Sequence, residues 1–234
     1  MKKHLLIDLD GTLLENDMDV FGPAYYHLLS SHLSPRIAPD KMIQYLLAGT
    51  KAMILNLDGR RTLEEVFDEV FYPGIGIEKS EIIDDIVAFY AEKFPKLKEF
   101  TKTIPDAVRL VSTALDQGYQ VSIATNPLFP RTAILQRLSW AGLPAEDHVF
   151  RLIPSYETFH HAKPNPEYYL ELMAQLQASP EDCVMVGNDF EADIVPSTRV
   201  GISAYHVHHG ANSTRSPHTP SGSLSEVLPW MSSL

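Results

Sequence analysis

The chain has 234 residues, 44% of them apolar and 21% charged, with a formal net charge of −11. That length suits one α/β domain with a sizeable insertion or two small domains, and the composition excludes a disordered chain. The acidic balance excludes an extended nucleic-acid-binding face, and the single cysteine, Cys183, excludes an intramolecular disulfide framework.

Met1-Lys2-Lys3-His4 precedes an apolar stretch too short for a signal peptide and at once broken by acids. No window approaches the length of a membrane span. A cytoplasmic protein with no membrane or nucleic-acid partner is expected. Leu5-Leu6-Ile7 is an apolar run that suits a strand buried on both faces. It ends in Asp8-Leu9-Asp10-Gly11. Residues two apart on a strand share a face, so Asp8 and Asp10 start from one side. Fraying at Gly11 lets the second swing away.

From Glu15 to about Phe100 the period is helical. Tyr25, Leu28, Leu29 and Leu33 form one stripe, Met42, Tyr45 and Leu46 a second, and Val66, Val70 and Phe71 a third. Ile82, Ile83, Ile86, Phe89 and Tyr90 form a fourth. Thr62-Leu63-Glu64-Glu65 has the form of a helix start with a capping box. No strand is expected in this block.

Strands and helices alternate thereafter. The pattern predicts a helix over 106–117 closed by Gly118, a strand over 120–125 and a helix over 130–140 closed by Gly142. A strand over 149–154 follows, then a helix over 165–177 with Pro166 in its first turn, and a strand over 183–187. A short helix over 191–199, a strand over 202–207 and a terminal helix over 224–230 complete the order. Cys183 falls in an apolar run and is expected to be a buried structural thiol. The alternation argues a doubly wound, Rossmann-like parallel sheet with right-handed crossovers, and ligands bind beyond the carboxyl ends of such strands. The stretch 208–223 is expected to be loop. The cluster His206, His208, His209 and His218 lacks carboxylates at ligand spacing and is expected to be solvated.

Asp8-Leu9-Asp10-Gly11-Thr12 resembles the first motif of the haloacid dehalogenase-like (HAD) superfamily, whose members are mostly phosphohydrolases. Thr125-Asn126 resembles the second motif, and Ala162-Lys163-Pro164-Asn165-Pro166 the third, in its Lys-Pro-x-Pro form. Gly187-Asn188-Asp189 with Asp193 resembles the fourth, although many relatives carry Asp directly after the Gly where this chain has Asn188.

The resemblance implies a catalytic core over 1–14 and 103–234 and an inserted all-helical cap over 15–102. It implies a Mg²⁺-dependent hydrolysis of a small phosphorylated metabolite. Asp8 would be the nucleophile and Asp10 the general acid and base. Thr125, Asn126 and Lys163 would hold the phosphoryl group. Asp8, Asp189 and the backbone carbonyl of Asp10 would hold the metal, with Asn188 or Asp193 ligating directly or through water. In the cap, Lys51 and Arg60 combine positive charge with Gly-containing turns and are candidates for substrate contact. The alternative for both is a solvated surface charge.

A phosphotransferase or phosphomutase would use the same core, and a catalytically silent binding protein is a rival of another class. Dehalogenase chemistry needs neither Mg²⁺ nor an acid at the second Asp position, so Asp10 and Asp189 argue against it.

Overall fold

A computed structural model describes residues 3–148, 150–208 and 219–234. In chain order it contains β1 (His4–Ile7), β2 (Leu14–Asn16), α1 (Met18–Leu33), α2 (Pro39–Leu55), α3 (Leu63–Ile75) and α4 (Lys79–Glu92). A 3₁₀ segment (Phe94–Phe100) leads to β3 (Thr101–Thr103), α5 (Pro105–Asp116), β4 (Gln120–Ile123), α6 (Arg131–Trp140) and α7 (Pro166–Leu176). The chain continues through β5 (Cys183–Gly187), a π-helical turn (Phe190–Ile194), α8 (Val195–Arg199), β6 (Ser203–Val207), β7 (Ser221–Gly222) and α9 (Val227–Met231).

Among the described residues the main sheet has five strands in the order β4-β1-β5-β6-β7, all parallel. The opening apolar run becomes its central strand because every residue of β1 is buried. Successive side chains serve opposite faces. Leu5 and Ile7 join Val121, Ile123, Val184 and Val186 under α5, α6 and α9, while Leu6 joins Met185 and Cys183 against α7. Ile7 is level with both Ile123 and Val186, so the chain leaves three adjacent strands at one height. The strand order also reverses here, since β1 has β4 on one side and β5 on the other. That makes this sheet end a topological switch point.

The four helical stripes become α1 to α4. Thr62 and Glu65 complete their reciprocal cap, with Thr62 Oγ1 accepting from the Glu65 N–H at 3.2 Å and Glu65 Oε2 accepting from the Thr62 N–H at 2.8 Å. The block packs on the sheet layer through aromatic contacts. Phe94 stacks on Trp140 at 5.5 Å between ring centroids, and Tyr25 meets Phe129 edge to face at 5.3 Å. Backbone bonds add to this where Leu63 N–H donates to Phe159 O and Glu64 N–H to Tyr156 O, both at 2.8 Å.

Three expectations about strands need correction, the first being the loop expected over 208–223, where Ser221–Gly222 forms β7 and pairs with β6 as a two-residue edge strand too short to show a pattern. The helical block is joined to the sheet by an antiparallel ribbon of β2 and β3, so Glu15, Asn16, Thr101 and Lys102 lie in strands. Three-residue strands in a two-stranded ribbon leave too short an alternation to detect. Of the strand expected over 149–154, the described residues 150–154 form instead an irregular edge segment, and residue 149 lies outside the described residues. Arg151 N–H donates to Val121 O (2.7 Å) and Ile123 N–H to Leu152 O (2.9 Å), after which Pro154 cannot extend the ladder as a donor.

The His-rich cluster is divided. His206 is buried in β6, and its Nε2 lies 2.9 Å from the Asn188 carbonyl oxygen. Its ring meets His208 edge to face at 4.2 Å, while His209 and His218 lie outside the described residues. Cys183 is a buried thiol, and no helix among the described residues is long and apolar enough to cross a membrane.

Packing between α2 and α3 gives a stability test whose sign opposes helix propensity. A Cβ on Gly74 would lie 2.1 Å from the Tyr45 ring and 2.5 Å from its Cγ. Helix propensity alone favours Ala over Gly by up to about 1 kcal/mol. The clash reverses that, so Gly74→Ala should lower unfolding free energy by about 1–3 kcal/mol in urea titrations. A gain in stability would show that the two helices are loosely packed.

Candidate active site

Asp8 follows β1 directly, and its N–H still donates to Val186 O at 2.9 Å. Its side chain is held from two directions. Lys163 Nζ donates to Oδ1 at 2.9 Å, and Thr12 Oγ1 lies 3.2 Å from Oδ2. Lys163 is itself only 2% exposed and donates to Asp193 Oδ1 at 2.5 Å. One ammonium thus bridges two buried carboxylates from the ends of β1 and β5.

The backbone around this bridge is specified with little slack. Asn126 holds the Lys163 loop from the end of β4, its Oδ1 accepting from the Lys163 N–H at 3.1 Å. Its Nδ2 faces Lys163 O at 3.4 Å, so the amide side chain is spent on the loop. Asp193 uses both oxygens, since Oδ2 accepts from the Asp189 N–H at 3.0 Å. A Cβ on Gly187 would fall 2.2 Å from that same Oδ2, so glycine is required for Asp193 to reach in. Gly11 has φ +81°, and a Cβ there would lie 2.5 Å from the Asn188 amide.

Burial pushes the Asp8 carboxyl up to about 7; Lys163 opposes this and Asp193 adds to it. Burial also raises Asp193, again against the pull of Lys163. For Lys163, burial works to lower the pKa, but the two carboxylates outweigh it and hold the ammonium well above the usual lysine range.

Asp10 starts beside Asp8 but has different partners. Asn16 Nδ2 donates to its Oδ1 at 2.8 Å, and Arg137 Nη1 donates to Oδ2. Arg137 is 1% exposed, lies 4.6 Å from the Phe129 ring centroid, and keeps Nη2 buried without a hydrogen-bond partner among the described residues. Sequence reasoning missed it. The available signal was a charge on an apolar stripe, because Ala133, Ile134, Arg137 and Leu138 share the buried face of α6. Asn16 was missed because β2 was missed.

A cavity of about 420 Å³ opens over these groups, lined by every core residue singled out from the sequence together with Asn16 and Arg137. Thr125 is 2% exposed at the end of β4, where its carbonyl accepts from Tyr168 Oη at 2.9 Å. Asp189 is exposed at the rim, and its Oδ1 caps the following turn by accepting from the Glu191 and Ala192 N–H groups at 2.9 Å. Asn188 presents its amide to Thr12 Oγ1 at 3.0 Å.

Lys51 and Arg60 are not brought to this cavity. Lys51 is exposed on α2. Arg60, with its side chain 88% exposed, pairs with Asp58 two residues away. The Gly-containing turn around Arg60 packs instead toward the 160–161 loop, where Asn56 Nδ2 donates to His160 O at 2.8 Å.

The donor chemistry fits a hard divalent cation. Carboxylates of Asp8 and Asp189, the Asn188 amide and the Asp10 backbone border one polar cavity. No group of three or more His, Cys, Asp or Glu side chains converges as a preformed cage among the described residues. Asp193 engages Lys163 with one oxygen and the Asp189 N–H with the other.

A family model for haloacid dehalogenase-like hydrolases matches residues 2–196. The chain belongs to this family. Among curated HAD-like relatives, phosphoglycolate phosphatase 1 of Pseudomonas aeruginosa is 25% identical over 92% of this chain and 72% of its own length. Pyrophosphatase PpaX of Anoxybacillus flavithermus is 25% identical over 84% of this chain and 79% of its own. A HAD phosphatase structure from Thermococcus onnurineus superposes with a TM-score of 0.60 at 22% identity, covering 99% of this chain and 98% of that one. That likeness supports the fold of this HAD-like chain, a parallel α/β core.

The raised Asp8 pKa has a consequence for the metal-free protein. A carboxyl titrating near 7 when folded and 3.8 when unfolded binds more protons in the folded state, so it costs stability as pH rises between those values. Asp8→Asn removes that cost. In EDTA it should raise the thermal midpoint more at pH 8 than at pH 5, by differential scanning calorimetry. An equal gain at both values would mean that Asp8 titrates outside this window.

Proposed function

We propose that the protein is a Mg²⁺-dependent phosphomonoester hydrolase that works through an aspartyl-phosphate on Asp8. The observation that supports this most is the Lys163 ammonium bridging Asp8 and Asp193 beside a second acid, Asp10, in one cavity. A buried carboxylate meant to attack an anionic phosphate must be ionised and its charge offset, and Lys163 favours both, working against the burial that raises Asp8. The phosphatase names of the relatives agree with this reading.

Asp8 attacks phosphorus and the ester P–O bond breaks, with Asp10 delivering a proton to the departing alkoxide to give an alcohol. Asp10, now ionised, takes a proton from water as the water oxygen attacks phosphorus. Inorganic phosphate leaves and Asp8 is restored. Thr125, the backbone N–H of Asn126 and Lys163 hold the phosphoryl oxygens. Asn16 and Arg137 are positioning residues for the Asp10 carboxylate. Asp8, Asp189 and the Asp10 carbonyl would hold Mg²⁺, which supplies charge neutralisation so that one anion can approach another. The helical block over 15–102 serves as the cap that covers the leaving group.

Phosphate release from acetyl phosphate and p-nitrophenyl phosphate tests this reading directly. EDTA should abolish release and Mg²⁺ restore it. Asp10→Asn should lower turnover roughly 10²–10⁴-fold on alkyl phosphates and less on p-nitrophenyl phosphate, whose leaving group needs no proton. An equal loss on both classes would remove Asp10 from proton transfer.

A further inference from the structure

Beside the polar cavity lies a second one of about 160 Å³, more enclosed, between the cap helices and the sheet layer. The two meet at Met18, Leu128 and Phe129, which line both. Its walls are apolar and aromatic: Leu29, Leu46, Phe67 and Phe71 face it from α1, α2 and α3, and Phe129 from the core side. Phe67 and Phe71 stack at 4.9 Å between centroids.

Several of the polar groups there are engaged with one another, and the hydroxyls of Tyr26, Tyr72 and Tyr156 complete the polar lining. The Tyr25 and Tyr90 hydroxyls pair at 3.0 Å, and Thr50 Oγ1 donates to Leu46 O at 2.9 Å. Asp68, the single charged side chain lining it among the described residues, accepts from Lys79 Nζ at 2.6 Å. The described lining contains no Lys, Arg or His. An anionic leaving group, whether a carboxylate or a second phosphate, would enter with no cation to meet it, and an unpaired buried charge is strongly disfavoured. A polyhydroxylated one would exchange its water for mostly carbon walls and the hydroxyls of a few tyrosines. An apolar cavity of about 150 Å³ is large enough for benzene.

We propose that this cavity is the leaving-group subsite, and that the substrate is a phosphomonoester of an alcohol carrying one uncharged, ring-sized apolar group, of the arylalkyl class. The inference rests on the phosphatase reading above. It sets this chain apart from relatives named for phosphoglycolate and pyrophosphate. Aromatic walls receive a ring edge to face, and the phosphoryl group then reaches Asp8 past Met18 and Phe129.

The test compares kcat/KM for benzyl and methyl phosphate, which release alcohols of similar acidity, so their ratio reports the cavity and not the chemistry. Benzyl phosphate should be favoured on the order of 10²-fold, and should exceed phosphoglycolate and pyrophosphate at least tenfold. Leu46→Trp, which fills the cavity, should cut the benzyl-to-methyl ratio at least tenfold. Leu46→Ala, which enlarges it, should shift preference toward naphthylmethyl phosphate; if the larger side chain prevents folding, this variant carries the test. A ratio near one, or a preference for phosphoglycolate or pyrophosphate, would overturn the proposal and point to the unpaired Arg137 Nη2 as reader of an anion. Acetyl phosphate separates the two levels. Its hydrolysis without a benzyl preference removes the subsite alone, whereas no hydrolysis of any ester with Mg²⁺ removes the phosphatase reading and the subsite with it.

Discussion

The site depends on one buried ammonium. Lys163 meets Asp8 at 2.9 Å and Asp193 at 2.5 Å, and all three are nearly inaccessible to water. Neither carboxylate is tolerable there without the ammonium, because desolvating an unpaired charge costs several kcal/mol, and removing Lys163, which would leave both unpaired, is the kind of change that typically costs about 3–5 kcal/mol. The arrangement therefore fixes three separate segments at once: the end of β1, the loop before α7 and the turn after β5. Two negative charges against one positive charge leave the group short of cationic charge, which is the electrostatic condition under which a divalent cation is welcome.

Sheet topology makes that convergence possible. With β1 between β4 and β5 and the three strands level, Asp8, Thr125 and Asn188 emerge side by side without long loops. Smaller features then aim the groups. Asn126 ties the Lys163 loop to the end of β4, Gly187 leaves the space that Asp193 fills, and Arg137 with Asn16 draws the Asp10 carboxylate away from that of Asp8. The chemistry is thus concentrated in a polar cavity whose residues recognise only a phosphoryl group and a cation. Selectivity is left to the neighbouring surface, and that surface is apolar and aromatic.

What was legible in the sequence follows from the range of the interactions involved. The central strand could be read because a strand buried on both faces is continuously apolar, and the cap of α3 because Thr62 and Glu65 are three residues apart. The core site residues were legible as short motifs, three of them following a strand end and the Lys163 motif leading into α7. The β2–β3 ribbon was not legible, since its two strands are separated by the whole helical block and carry no pattern of their own. Arg137 could be suspected only as a charge on a buried helix face, because its partner Asp10 is 127 residues away. Lys51 and Arg60 show the converse. Positive charge beside a glycine is a local property, and whether it faces the site is decided by how α2 and the following turn pack, which places Arg60 against Asp58 and Lys51 in solvent.

The central claim is that the carboxylate held by Lys163 takes the phosphoryl group. The direct measurement is rapid acid quenching during turnover of acetyl phosphate with Mg²⁺, followed by intact-mass and fragment-ion spectrometry of the chain. The account predicts a fraction of the protein carrying one phosphoryl group, located on Asp8 and absent from Asp8→Asn. Sustained turnover with an unmodified chain at every quench time, or a phosphoryl group on any other residue, would contradict it.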